Sequence, residues 1–224
     1  ENIYQFGMEV YYRKTQNVLD YKAGADFFLK NFPETEILQG FNKSYGVELM
    51  ASKDKGIMTG WINYTYSRSL NQVNEGPLTE QQINFGKFYN ANYDRPHTFN
   101  ASLIIGQGKH HDFSFNFTYS TGRPFTTPQG YVEFNNKIFP YYSERNNERI
   151  PDYHRLDFAW NIYNPKMNPK RRFKGNWAFS VYNLYGRKNP YSVFYKSENR
   201  VLNPYKLVIF GSAIPSLAYK FTFE

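Results

Sequence analysis

Strict alternation of apolar and polar residues is the feature of this sequence that most limits how it can fold. Residues 113–120 read Phe-Ser-Phe-Asn-Phe-Thr-Tyr-Ser, which puts every aromatic ring on one face of an extended strand and every small polar group on the other. Segments that begin at Thr98, His154 and Ser216 repeat the pattern. A period of two residues cannot give a helix one apolar face. We therefore predict an all-β, antiparallel fold.

Eight segments of about 9–12 residues carry this pattern, which is the length that a tilted strand needs to cross a bilayer. Besides the four above, the pattern is found less cleanly in residues 3–14, 44–53, 57–69 and 176–185. Short connections, marked by Gly or Pro, are predicted at 54–56, 107–111 and 164–174. Long connections, rich in Asn, Gly, Pro and Tyr, are predicted at 15–43, 70–94, 121–152 and 186–207. Short and long connections alternate without exception.

This alternation of loop lengths is typical of outer-membrane barrels, which have short periplasmic turns and longer external loops. Strand count and polarity then put the C-terminus on the periplasmic side. Mean hydropathy is −0.70, and no window approaches the roughly 20 apolar residues of a membrane-spanning helix. We predict a transmembrane β-barrel in a bacterial outer membrane. Lipid would contact Phe99, Phe115, Phe117, Phe158 and Trp160, whereas Asn100, Asn116, Arg155 and Asp157 would face the lumen or a plug.

A soluble, carbohydrate-binding β-sandwich is the main alternative, because its strands alternate in the same way. Two features favour the barrel. The polar face is built from Ser, Thr, Asn and Gln with few Lys or Glu, unlike most solvated faces, and Phe and Tyr crowd the strand ends as in interfacial aromatic girdles.

Charge and composition weigh against other functions. The formal net charge is +8, but the positive charges are scattered, and their densest cluster, within 166–174, is interpreted as a solvated turn rather than a nucleic-acid surface. Cysteine is absent, which removes disulfides, thiolate metal ligands and a cysteine nucleophile. The sequence has no phosphate loop, nucleophile elbow or zinc spacing. We predict no enzyme and no cofactor.

Two histidine-containing groups resemble chemical sites only superficially. Arg155 and Asp157 are two residues apart, so they share a strand face and can form an ion pair, whereas His154 points away. A structural ion pair is therefore favoured over catalysis. His110 and His111 are adjacent in a predicted turn without a carboxylate cluster, which favours exposed histidines over a metal site.

Five ordered segments resemble a known family. They are Tyr-Asp-Arg-Pro-His at 93–97, Ser-Thr-Gly-Arg-Pro at 120–124, Tyr-His-Arg-Leu-Asp at 153–157, Val-Tyr-Asn-Leu-Tyr-Gly-Arg-Lys-Asn-Pro at 181–190 and Ile-Pro-Ser-Leu at 214–217. Together they resemble the C-terminal part of TonB-dependent outer-membrane receptors of the Bacteroidetes type. The resemblance is closer to receptors with a carboxypeptidase-regulatory-like N-terminal domain than to glycan importers of the starch-utilisation type.

The resemblance implies energised import through a barrel of about 22 strands that is closed by an N-terminal plug. The inner-membrane TonB complex would act on that plug, and a surface lipoprotein and lipopolysaccharide are further expected partners. Residues 1–224 contain no plug domain, so we expect them to be the C-terminal portion of a longer barrel. A self-standing eight-stranded barrel with a structural or adhesion role is the alternative, and it would need pairing between residues 3–14 and 214–223.

Ligand or partner binding is expected in the long loops, where function is commonly found. The loop at 121–152 combines aromatic rings with arginines, which could stack on and hydrogen-bond a polar ligand. Its candidate residues are Tyr131, Tyr141, Tyr142, Arg145 and Arg149. The sequence does not name the cargo.

Overall fold

The computed structural model describes residues 3–25, 27–28, 31–107, 110–135, 137–142, 144–163, 173–198 and 201–223. Within these ranges the chain is built from antiparallel β-strands, with three short 3-10 helices at Pro33–Glu36, Thr79–Gln81 and Asn84–Gly86. None of the described helices is both long enough and apolar enough to pass through a membrane. The prediction of an all-β, antiparallel fold is therefore confirmed.

Eight long strands form the main sheet, each paired with the next long strand along the chain. They are β1 (Tyr4–Tyr21), β2 (Ile37–Lys53), β3 (Met58–Gln72), β5 (His97–Gln107), β6 (His111–Ser120), β11 (Tyr153–Ile162), β12 (Phe173–Tyr182) and β15 (Ile214–Phe223). The short β4 (Tyr89–Asn90) adds to β3. In the described ranges β1 pairs only with β2 and β15 only with β12, so these two strands form opposite edges.

Three small two-stranded units lie in the long connections. β7 (Pro124–Phe125) pairs with β10 (Glu148–Arg149), and β8 (Gly130–Phe134) pairs with β9 (Lys137–Tyr141). β13 (Pro190–Glu198) pairs with β14 (Val201–Val208). The alternating pattern of the eight long strands predicts none of these units.

The register separates the two faces of the sheet as the alternation predicts. Phe115 lies opposite Leu103 on β5 and Phe158 on β11, while Asn116 lies opposite Ser102 and Asp157. We call the face that carries Phe115 the apolar face and the face that carries Asn116 the polar face. Side chains on the apolar face of the outer strands remain exposed, as Phe6 (81%) and Leu217 (67%) show.

β1 and β2 are longer than the predicted segments 3–14 and 44–53. A β-bulge at Asn17, whose φ is +56°, interrupts the register between Gln16 and Val18. Asn adopts this left-handed conformation more readily than most residues. Beyond the extra residue, the side chains that would point to the apolar face point to the polar face, and Asp20 is one of them. A search for a continuous period of two therefore does not detect the second half of β1.

All long connections lie at one end of the sheet, which we call the mouth end. There β1 ends at Tyr21 and β3 at Gln72, and the returning strands begin at Ile37 and His97. At the opposite end, residues 54–57 make a short turn in which Gly56 has a φ of +106°, a conformation that favours glycine. Residues 164–172 of the turn predicted at 164–174, which include most of its basic cluster, lie outside the described residues, and β12 begins at Phe173.

The buried apolar residues gather at the mouth end rather than beneath the sheet. Leu38, Val73, Ile83 and Tyr89 form one buried cluster, contributed by β2, β4 and the connection between β3 and β4. The connection between β3 and β4 therefore packs against the start of β2 at the mouth end.

Candidate functional site at the mouth of the sheet

The five sequence segments that carry the family resemblance come together at the mouth end. Each lies at the start or end of a long strand, so the meander places them side by side although they are spread over residues 93–217. Side-chain hydrogen bonds join the first segment to the second and the third segment to the fourth. Four residues, which we call anchors because each fixes a loop by close contacts, hold this end together: Asp94, Gly122, Asn183 and Asn189.

Asp94 is the first anchor, and its side chain is 0% exposed. Its carboxylate accepts hydrogen bonds from the Ser69 backbone N–H at 2.6 Å and from Arg149, and it forms a longer ion pair with Arg68 at 3.4 Å. Arg149 also donates to the carbonyl oxygens of Asp94 and Gly122 at 2.8 and 3.0 Å. A buried carboxylate needs such partners to remain charged, so Asp94 fixes two loops at once.

Gly122 is the second anchor, because the backbone of the loop at 121–152 returns directly against it. A Cβ atom at this position would lie 1.6 Å from the carbonyl oxygen of Ile150. The Gly122 N–H donates to Asp152 at 3.0 Å, and the Tyr119 hydroxyl donates to the same carboxylate at 2.7 Å. Only a residue without a side chain allows this close approach.

The pKa of Asp152 is lower than that of an ordinary aspartate. Burial by itself acts in the opposite direction, but the hydrogen bonds from Tyr119 and Gly122 and the positive charges of Arg149 and Arg187 outweigh it. The charged form of Asp152 is therefore the form that the folded loop stabilises.

Asn183 and Asn189 are the third and fourth anchors, and both side chains are buried. The Asn183 backbone, with a φ of +55°, donates to Asp157 at 2.8 Å, and its side-chain amide donates to the carbonyl oxygen of Arg187 at 3.0 Å. Asn189 bonds both the N–H and the C=O of His154, at 3.2 and 2.9 Å, as a neighbouring strand would. β12 was predicted to run to residue 185, but it ends at Tyr182 because Asn183 leaves the extended conformation.

Gly122, Asn183 and Asn189 line a cavity of about 430 Å³ on the polar face, which we call the mouth cavity. Its charged lining residues are Arg95, Arg123 and Arg155, and no Asp or Glu of the described part of the chain lines it. Hydroxyl groups of Thr98, Thr118, Ser120 and Thr121 border it, and Ile209 and Phe210 add an apolar wall. The cavity is therefore positively charged, with hydroxyl groups and apolar surface beside the charge.

The three arginines of the mouth cavity differ in how they are held. Arg155 pairs with Asp157 at 2.9 Å and donates to the hydroxyls of Tyr153 and Tyr182 at 2.8 and 2.7 Å, so its hydrogen-bonding capacity is largely used. Arg95 donates to the Ser120 hydroxyl at 3.3 Å, and Arg123 donates to the Tyr191 carbonyl at 3.2 Å. Neither Arg95 nor Arg123 has a carboxylate within ion-pair distance among the described residues.

The residues predicted to face a lumen share the polar face. Asn116 lies opposite Asp157, and Asn100 lies opposite Thr118, which in turn lies opposite Arg155. The predicted ion pair between Arg155 and Asp157 is present, and the ring of His154 lies on the other face, with Nδ1 2.6 Å from the Tyr185 hydroxyl. Only Arg155 of these predicted residues lines the mouth cavity.

The predicted loop residues separate into three groups. Tyr141, Tyr142 and Arg145 line a second cavity of about 670 Å³ at the mouth end, whereas Arg149 is bound to Asp94. Tyr131 is 61% exposed on β8 and lines neither cavity. Arg145 pairs with Asp20, which also accepts a hydrogen bond from the Tyr89 hydroxyl, and burial together with this contact raises the pKa of Tyr89.

Arg95, Arg123 and Asp94 acquire roles that the sequence patterns did not assign. One signal was present, because Arg95 and Arg123 each precede a proline, Pro96 and Pro124. A residue before proline is restricted to extended backbone conformations, so each arginine emerges from a stiffened segment. This signal indicates a fixed position but does not indicate that the two arginines meet in one cavity.

Among the described residues, no three His, Cys, Asp or Glu side chains are grouped closely enough to hold a metal ion. His111, predicted to be an exposed turn histidine, begins β6 and accepts a hydrogen bond from the Trp160 indole N–H at 3.2 Å.

The fold and the site together define an antiparallel all-β protein that carries an arginine-lined cavity at one end of its main sheet. No protein family, curated protein or solved structure matches the chain.

Proposed function

We propose that this chain forms part of the wall of a transmembrane β-barrel in a bacterial outer membrane, and that the barrel is a TonB-dependent importer. The observation that carries the proposal is the layering of the apolar face. Polar aromatic rings lie at both of its ends, and an apolar band lies between them. Outer-membrane barrels have this arrangement, because rings with polar atoms are favoured at the two membrane–water interfaces.

The aromatic layer at the mouth end consists of directly opposed pairs on neighbouring strands. The pairs are Tyr12–Tyr45, Tyr66–His97 and Tyr119–His154. In the third pair the polar atoms have partners toward the loops, since the Tyr119 hydroxyl donates to Asp152 and His154 contacts the Tyr185 hydroxyl. This layer extends from the first long strand to the sixth.

A second aromatic layer lies at the opposite end of the same face. The Trp160 indole N–H donates to His111 at 3.2 Å, and the rings of Trp177 and Tyr219 lie 4.7 Å apart. Opposed pairs without polar side-chain atoms fill the space between the layers, and they include Met8–Leu49, Val10–Val47, Ile62–Ala101, Phe117–Leu156, Phe115–Phe158 and Phe179–Leu217.

The height of this band suits a membrane. Tyr119 and His111 are eight residues apart on β6, or about 26 Å along the strand. At the tilt of about 40° that barrel strands adopt, the two aromatic layers would be about 20 Å apart along the membrane normal. The apolar band of known barrels has a comparable height of about 25 Å. A soluble sandwich would cover the apolar face with a second sheet. In this chain many side chains of the apolar face are exposed.

The open edges of the sheet favour the importer over a self-standing small barrel. That alternative needs β1 to pair with β15, and the two strands lie at opposite edges. We propose that each edge pairs with strands outside these 224 residues, which would form the larger barrel that the family resemblance implies. Its plug domain would then lie against the polar face, with the TonB complex acting on that plug.

Matched substitutions on the two faces of β6 test the membrane assignment. Phe115→Arg would put a charge in the middle of the band, which costs about 2–4 kcal/mol, so we expect the protein to be lost from outer-membrane fractions. Asn116→Leu, its neighbour on the polar face, should be retained. The face assignment is wrong if Phe115→Arg inserts normally and Asn116→Leu does not.

The mass of the native polypeptide separates the importer from the small barrel. We expect intact mass measurement of the protein extracted from outer membranes to give several times 26.6 kDa, with a plug-like region among its N-terminal peptides. A mass near 26.6 kDa would favour the self-standing barrel instead. Recovery without detergent from the soluble fraction would contradict both and favour the sandwich.

A further inference from the structure

We propose that the mouth cavity binds an organic anion, with a phosphate or carboxylate held by Arg95 and Arg123 and an apolar portion packed against Ile209 and Phe210. This proposal names a substrate class for the proposed importer and rests on that function for its transport role. The binding itself can be measured independently of transport.

Charge is the first argument. Within the described ranges, three arginines and no acidic residue line the cavity, and of the three only Arg155 is neutralised by a carboxylate, that of Asp157. Arg95 and Arg123 each make one hydrogen bond to a neutral oxygen, at 3.3 and 3.2 Å. A guanidinium has five N–H groups, so both side chains retain donors for an anion. Charge-assisted hydrogen bonds of this kind are about twice as strong as neutral ones.

The surroundings of these arginines supply the second argument. The Ser120 hydroxyl lines the cavity and accepts a hydrogen bond from Arg95, so its own proton can be donated to a phosphate or carboxylate oxygen. Ile209 and Phe210 are exposed and line the same cavity, which gives the ligand a place for apolar surface. A volume of about 430 Å³ lies within the range of small-molecule sites. The cavity thus favours an anion with an apolar part over a bare inorganic ion.

Pre-organisation supplies the third argument. Arg95 lies between the buried Asp94 and Pro96, while Arg123 lies between Gly122, which is in close contact with the loop backbone, and the buried Pro124. Their backbones are therefore held before a ligand arrives. Fixing a binding group in advance lowers the entropy that binding loses, so the two arginines are suited to recognition rather than to general surface charge.

Calorimetric titration of the detergent-solubilised native polypeptide tests the site, with phenyl phosphate and benzoate as anionic probes and benzamide as the neutral control. We expect at least one anionic probe to bind, more tightly than inorganic phosphate, while benzamide gives no heat of binding. The tighter of phenyl phosphate and benzoate identifies the headgroup. Arg95→Gln and Arg123→Gln should each weaken that binding about tenfold or more, and Arg123→Lys should weaken it less because the charge is kept.

Arg13→Gln is the matched control, because Arg13 is exposed on β1 and lies outside the residues that line the cavity. Equal weakening by Arg13→Gln and Arg95→Gln would overturn the proposal, as would binding of benzamide as tight as that of phenyl phosphate. Each variant is first checked for outer-membrane localisation. Correct localisation without probe binding overturns the anion site alone, whereas absence of the wild-type protein from the membrane overturns the proposed importer.

Discussion

The Arg149 guanidinium donates to the fully buried carboxylate of Asp94, and this ion pair joins the loop before β5 to the loop before β11. The Arg149 guanidinium also donates to the carbonyl oxygen of Gly122. The Arg149 side chain therefore connects the Tyr-Asp-Arg-Pro-His segment to the Ser-Thr-Gly-Arg-Pro segment. The two segments supply Arg95 and Arg123 to the same cavity. The ion pair is thus a support for the cavity rather than part of its lining.

Asp94→Ala should strongly destabilise the mouth end. It removes the partner of Arg149 and leaves the Ser69 N–H without its acceptor, and breaking a buried ion pair costs about 3 kcal/mol or more. Thermal unfolding in detergent, followed by circular dichroism, measures the change. Glu198→Ala is the control, because its pair with Lys196 is exposed, and it should leave the unfolding temperature unchanged. Equal effects of the two substitutions would contradict this role for Asp94.

Gly122→Ala should destabilise the protein by about 1–3 kcal/mol, the usual cost of overpacking. The new Cβ would overlap the carbonyl oxygen of Ile150, so the loop would have to move away from Asp152. Gly130→Ala is the matched control, because no atom lies within 4 Å of its Cβ position. The free energy of unfolding from urea titration in detergent compares them. Similar stabilities for the two variants would show that the close approach at Gly122 is unimportant.

Tryptophan fluorescence should distinguish the two faces of the sheet. Trp160 and Trp177 lie on the apolar face, whereas Trp61 lies opposite Ser102 on the polar face. In lipid nanodiscs, brominated acyl chains should quench variants that retain only Trp160 or only Trp177. A variant that retains only Trp61 should not be quenched, because bromine acts only on rings that contact lipid. Strong quenching of Trp61 would contradict the proposed orientation.

Stability should fall at acidic pH in a way that depends on Asp152. Its pKa is lowered in the folded protein, so its stabilising contribution is present above the ordinary aspartate pKa of about 3.9 and is lost as the pH falls through the lower folded value. Asp152→Asn should therefore be less stable than wild type at pH 7, and the difference should shrink below about pH 4. Unfolding temperatures measured across this range test the prediction, and a difference independent of pH would contradict it.

The main sheet was largely predictable from local pattern. In residues 113–120 each side chain follows the period of two, and a one-residue slip would exchange the faces. The ion pair between Arg155 and Asp157 was predictable for the same reason, because residues i and i+2 share a face. The bulge at Asn17 was not predictable, because an inserted residue breaks the period on which the prediction depends.

The mouth cavity was predictable only in its components. Of the five loop residues predicted as candidate binding residues, none lines the mouth cavity. Tyr141, Tyr142 and Arg145 line the second cavity, Arg149 belongs to the Asp94 network and Tyr131 to an exposed hairpin. Composition shows that a loop carries groups able to contact a ligand. It does not show which arginine will be neutralised by a buried carboxylate elsewhere in the chain.

The sequence alone determined the presence of the eight long strands, their two faces and the alternation of short and long connections, because these depend on residues close together in the chain. Only the tertiary structure decided that five segments spread over residues 93–217 meet at one end, and that no carboxylate of the described residues pairs with Arg95 or Arg123 there. Such contacts depend on strand order, on hydrogen bonds between distant loops and on close approaches such as that of Gly122 to Ile150. A local period of two carries no information about any of these.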